Sequence, residues 1–130
     1  MSSGLTKEEA FHNGYRRFLD AIEILAKPAE QQCEIMGYYN VAWELKDDVS
    51  SGLYLFDISD QYLNEEKKLE IRSLVADVEK IPKEAFEDKN STVGSLKAMQ
   101  HPAWELLRVK ASSLLKTLES VTRENDKYFN

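Results

Sequence analysis

Glu9-Ala10-Phe11-His12 places a carboxylate and an imidazole at a spacing that helical bundles use to hold metals. A di-iron carboxylate site needs two such Glu-x-x-His pairs and two further glutamates, all facing inward. The other histidine, His101, has Ala98 three residues before it, so the second pair is missing. Two histidines also fall short of a three-histidine centre. Glu9 has a simpler role, because Thr6-Lys7-Glu8-Glu9 reads as a capping box at a helix start. No metal is expected, and a helical-bundle metal or redox enzyme using His12 is kept as an alternative. Cys33 has no histidine near it in sequence and is flanked by Glu30 and Glu34, which would raise its pKa if close. A nucleophilic thiol needs a base and positive surroundings, so a buried, inert thiol is expected. His101 directly precedes Pro102, where it caps or packs at a helix start. Asp47 and Asp48 are adjacent, and adjacent helical residues point in different directions, which suits solvation better than paired acid–base work. There is no glycine-rich phosphate loop. The chain reads as non-enzymatic and without a cofactor.

The elements that would position these residues are helices. Phe11, Tyr15, Phe18, Ile22 and Leu25 recur at alternating steps of 4 and 3, one face of a helix that Pro28 stops. Pro28 also suits the first position of a second helix, with Tyr38, Ala42, Leu45 and Val49 as its stripe and Gly52 near its end. Leu53-Tyr54-Leu55-Phe56 is an apolar run that fits either a last helical turn or a buried connection. Asn64 caps a third helix, with Glu65 and Glu66 in its first turn, Ile71, Leu74, Val78 and Ile81 as its stripe, and Pro82 beyond it. Residues 83–100 are the least regular, with a short helix read around Leu96–Met99. The last helix starts at His101-Pro102 and carries Leu107, Ala111, Leu114, Leu118 and Val121, with Trp104 before them. Such stripes are core, not cofactor boxes. The reading is an all-α fold: an antiparallel helical bundle of four main helices with one or two short extra helices, in a single domain over residues 1–130.

Composition agrees. A chain of 130 residues buries roughly two thirds of its unfolded surface, enough for one core. With 42% hydrophobic and 31% charged residues it is globular, and five Gly and three Pro are too few for a turn-rich sandwich or barrel. A single Cys33 excludes an internal disulfide framework and fits a reducing compartment. Met1–Ala10 shows no basic segment followed by an apolar run, and no window approaches the roughly 20 apolar residues of a membrane span. A cytoplasmic protein without a membrane partner is expected. The formal net charge of −6 argues against broad nucleic-acid binding, which needs clustered Lys and Arg.

That charge is unevenly spread. Glu44, Asp47, Asp48, Asp57, Asp60, Glu65 and Glu66 meet one base, Lys46, so residues 44–66 carry the whole net charge of −6. The helix start at Asn64 accounts for Glu65 and Glu66. Near the second helix's C-terminus the dipole disfavours Asp47 and Asp48 by about 0.3–1 kcal/mol each, so these acids have no local reason. Tyr39, Trp43, Tyr54, Phe56 and Tyr62 stand among them. Tyr and Trp are enriched at binding hot spots, and acids around them speed encounter with a basic partner. The plain alternative is buried rings and solvated acids. The candidate partner-binding residues are Tyr39, Trp43, Glu44, Asp47, Asp48, Tyr54, Asp57, Asp60 and Tyr62.

In size, charge and helical class the chain resembles small acidic immunity proteins that bacteria pair with their own toxins, and the stretches Tyr39-Asn40-Val41-Ala42-Trp43-Glu44-Leu45 and His101-Pro102-Ala103-Trp104 resemble small bacterial helical proteins of no defined family. The resemblance rests on no signature motif. It implies a non-catalytic protein that plugs the basic cleft of a cognate toxin, most concretely a nuclease, in a 1:1 complex. A self-associating regulatory adaptor is the third reading, because 4-3 spacings serve an oligomer seam as well as an internal core.

Overall fold

Thr6 opens the first helix by the expected capping box: its hydroxyl accepts from the Glu9 N–H at 3.1 Å, and the Glu9 carboxylate accepts from the Thr6 N–H at 3.0 Å. The computed structural model describes residues 6–38, 40–57, 62–82 and 91–130, with the backbone alone at 56 and 57. Helix α1 (Lys7–Leu25) buries Phe11, Tyr15, Phe18, Ile22 and Leu25, the stripe read from the sequence.

The second segment is two helices rather than one. Helix α2 (Ala29–Met36) follows Pro28 and ends at Gly37, whose φ of 84° is the left-handed C-terminal cap that glycine provides. Helix α3 (Val41–Ser50) begins after Asn40, also left-handed at φ 53°. Periodicity explains the break. Cys33 and Leu45 are both fully buried, but on one straight helix they would point about 120° apart. Interrupting the helix lets each half turn its own stripe inward. Tyr38, expected in the stripe, lies instead in the connection with φ 57°, and its carbonyl accepts from the Ser95 hydroxyl at 3.1 Å.

A 3-10 run, Ser51–Asp57, continues from α3. Its period of three buries Gly52 and Leu55 and leaves Leu53 and Tyr54 exposed. Helix α4 (Glu65–Glu79) is capped by Asn64, whose side chain accepts from the Lys67 N–H at 2.9 Å. Helix α5 (Thr92–Met99) is longer than the short helix expected there and is capped by Ser91. Helix α6 (Ala103–Thr117) starts one residue after Pro102, with His101 Nδ1 accepting from the Ala103 N–H at 3.1 Å. The last segment breaks at Leu118, and helix α7 (Glu119–Phe129) leads on from there. The break brings α7 onto α1: the Tyr15 hydroxyl donates to the Leu118 carbonyl at 3.4 Å and lies 2.8 Å from the Thr122 hydroxyl.

The described residues thus form an all-α bundle of seven helices and one 3-10 run, not four main helices with one or two short additions. Helix α1 packs on α3 and α6, and α4 packs on the same two. Pairing of Glu70 with Thr117 and of Asp77 with Lys110 shows that α4 and α6 run in opposite directions. A polar tie joins the other elements. Gln32 donates to the Leu25 carbonyl at 2.9 Å, and the guanidinium of Arg108 donates to Gln32 Oε1 and to the Met99 carbonyl at the end of α5. Among the described residues no helix is long and apolar enough to cross a membrane.

Gly52 sets how closely the 3-10 run approaches α1. A Cβ there would lie 2.5 Å from Phe18 Cε1, and Phe18 is fully buried and has no room to retreat. Gly52→Ala is expected to destabilise the protein by about 1–3 kcal/mol in urea denaturation.

Candidate functional site

Helix α3 buries Val41, Ala42, Leu45 and Val49 and turns Trp43, Glu44, Asp47 and Asp48 outward. The pairs 43/47 and 44/48 are one helical turn apart, so these four side chains form one continuous face. Trp43 keeps 52% of its surface exposed, and all three acids are exposed. Glu44 sits in the first turn, where the helix dipole favours an acid, but no basic residue balances the last turn. The Asp48 carboxyl is pushed above its ordinary range, first by partial burial and then by the negative charges of Glu44 and Asp47.

Elsewhere eight acids are matched by the chain's own cations, while others, such as Glu23 on α1 and Glu30 and Glu34 on α2, are not. Arg16 pairs with Asp20 and Asp126, Lys46 with Glu79, Lys68 with Glu65, and Arg108 with Glu105. Lys110 pairs with Asp77, Arg123 with Glu119, and Lys127 with Glu124. Glu44, Asp47 and Asp48 pair with no cation among the described residues.

At the α4 edge of this face Lys46 lies across Trp43, its Nζ 5.3 Å from the ring centroid and 3.6 Å from Glu79 Oε1. The Ser50 hydroxyl donates to Glu79 Oε2 at 2.7 Å. Neither Ser50 nor Glu79 was among the candidate residues, because Glu79 reaches this point only through the packing of α4 on α3.

Of the other sequence candidates, Tyr54 stands 72% exposed on the 3-10 run that follows α3. Tyr62 is not part of the α3 face. Its ring stacks on Phe11 at 4.7 Å and its hydroxyl donates to Glu8 at 3.2 Å, which ties it to α1. Tyr39, Asp60 and the side chains of Phe56 and Asp57 lie outside the described residues.

His12 and Glu9 serve the fold. His12 is buried, with Nδ1 2.7 Å from Asn125 Oδ1 and Tyr128 stacked on its ring at 4.0 Å. Among the described residues no three His, Cys, Asp or Glu side chains are grouped as a metal site. Cys33 is fully buried, and burial pushes its thiol pKa up while nearby Arg108 pulls the other way. The flanking glutamates are not the cause. No protein-family model matches the chain, and no curated protein or solved structure matches it either.

The crowding at Asp48 has a measurable consequence. Its folded carboxyl keeps the proton to higher pH than the unfolded one, so the ionised form opposes folding. Stability contributed here falls as pH rises through the Asp48 titration and is recovered below it. Asp48→Asn is expected to stabilise the protein by a few tenths of a kcal/mol at neutral pH, the size of an i,i+4 like-charge repulsion. In urea denaturation across pH, that gain should vanish below about pH 3, where both proteins are uncharged at this position.

Proposed function

We propose that this is a non-catalytic binding protein that neutralises a basic protein partner through the outward face of α3. The most concrete form is an immunity protein that inhibits a cognate bacterial toxin in a 1:1 cytoplasmic complex. The observation that carries the reading is the clustering of unpaired acids beside an exposed ring. Glu44, Asp47 and Asp48 share one face of α3 with a half-exposed tryptophan, and none of the three pairs with a cation among the described residues.

A nuclease cleft suits this face physically. It holds Lys and Arg where phosphates bind, and carboxylates offer the same bidentate acceptor geometry. The field of three clustered acids steers the encounter and raises the association rate, most of all at low salt. Trp43 supplies the large, rigid contact area on which hot spots are built. A stable interface needs about 800 Å² on each partner, more than one face of a short helix provides. The exposed Leu53 and Tyr54 of the 3-10 run extend the contact surface beyond α3.

The test is to purify the chain together with the product of the adjacent reading frame. The expected result is a 1:1 complex that suppresses the partner's activity and forms more slowly as salt is raised. Asp47→Lys combined with Asp48→Lys should weaken it by about ten-fold or more. An adjacent product that does not bind, or a double variant with unchanged affinity and salt dependence, contradicts the reading.

A further inference from the structure

Helices α1 and α7 border an open recess of about 440 Å³ lined by Asn13, Arg16, Arg17 and Phe129. The lining is basic in a chain of net charge −6. The recesses between the end of α1 and α6, between α4 and α6 and between α3 and α4 each include a carboxylate, whereas this one presents two guanidiniums and no acid. Asn13 lies one turn from both arginines on α1, and Phe129 lies one turn from Asp126 on α7. Arg16 joins the two helices: its Nη1 donates to Asp126 Oδ1 at 3.2 Å, and its Nε lies 3.9 Å from Asp20 Oδ1. One ion pair therefore holds a guanidinium and brings the Phe129 end of α7 beside it. Arg16 Nη2 has no partner among the described residues, and the side chains of Arg17 and Asn13 have none there either. Phe129 is 47% exposed, and its ring meets those of Tyr128 and His12 edge-on at 5.2 and 6.5 Å.

We propose that this recess binds a small planar anion, an aromatic ring that carries a carboxylate or a phosphate, with the ring on Phe129 and the anionic group held by Arg17 and Arg16. The inference goes beyond the binding role proposed above and does not depend on it, because none of its residues belongs to the α3 face. The volume lies within the range of small-molecule sites. A planar guanidinium gives a carboxylate or a phosphate two parallel N–H bonds, and the Asn13 amide offers a donor and an acceptor to groups on the ring. Guanidinium is also less strongly hydrated than ammonium, so it surrenders its water to a ligand more readily. Arg16 is already oriented by its ion pair, so less order is lost when a ligand enters. The α7 dipole ends negative here, so the arginines and not a helix end must hold the anion. A ring stacked on Phe129 adds apolar contact that a bare anion lacks. Nucleotides and aromatic carboxylic acids share this chemistry, and the test separates them.

Adenosine monophosphate and indole-3-acetate are titrated separately into the 15N-labelled protein at low salt, following the Asn13 side-chain amide and the Arg17 Nε–H. The expected result is a saturable shift of both resonances, with a Kd of about 1 mM or tighter for at least one probe and an unmoved Trp43 indole. The tighter probe identifies the anionic group as phosphate or carboxylate. Adenosine, which lacks the anion, and inorganic phosphate or acetate, which lack the ring, should bind about ten-fold more weakly than the tighter probe. Arg17→Ala should weaken binding by about ten-fold and Phe129→Leu by about three-fold. Arg17→Lys keeps the charge without the fork and should recover only part of the loss. Arg17 is exposed, so its variants should keep the wild-type urea midpoint. No saturable shift at Asn13 and Arg17 with either probe, or an affinity unchanged in Arg17→Ala, overturns the site. Inorganic phosphate or acetate that binds as tightly as the tighter probe overturns the contact with the ring.

Discussion

Helix α3 is held by a narrow stripe, and that hold decides where its charges point. Val41, Leu45 and Val49 have no exposed surface and Ala42 has almost none, so the helix cannot rotate without lifting apolar side chains out of the core. Its N-terminus is set by the left-handed backbone at Gly37, Tyr38 and Asn40, and its continuation is pressed against Phe18 at Gly52. With both ends and one side fixed, Trp43, Glu44, Asp47 and Asp48 face away from the bundle. The rest of the molecule, from the stripe of α1 to the tie of Arg108 to Gln32 and Met99, keeps that helix in place.

Much of this was legible in the sequence where local rules decide. The α1 stripe, the Thr6 capping box, the Asn64 cap and the inward residues of α4 and α6 follow from spacing and capping chemistry. So does the outward face of α3, once Ala42, Leu45 and Val49 are placed inside. The helix breaks at Gly37 and Leu118 were not legible. Both serve packing between elements distant in sequence: α2 turns to bury Cys33, and α7 turns to meet Tyr15 and His12. Tyr62 was read with its neighbours in sequence, but its ring is claimed by Phe11, some fifty residues earlier. Glu79 and Ser50 escaped for the same reason, since a pair across two helices leaves no mark in either helix alone.

The distribution of charge also separates stability from function. Exposed ion pairs contribute about 0–1 kcal/mol each, so the matched acids on α1, α4, α6 and α7 do little for the fold. The uncompensated acids of α3 cost about as little, a few tenths of a kcal/mol in mutual repulsion. Folding therefore scarcely registers which acids are paired. An approaching basic surface does, because the unmatched charges keep a field that extends about 8 Å at physiological salt. On the proposed binding role, the same helix face is nearly neutral for stability and decisive for encounter.

Carboxyl footprinting of the proposed complex tests this account most directly. Exposed acids are labelled with a carbodiimide and an amine, in the free and bound states, and read by mass spectrometry. The account predicts that Glu44, Asp47 and Asp48 are protected in the complex, while Glu119 and Glu124 on α7 label at their free rates. Protection confined to α7 or to the α4–α6 side, with the α3 acids labelled as in the free protein, would contradict it.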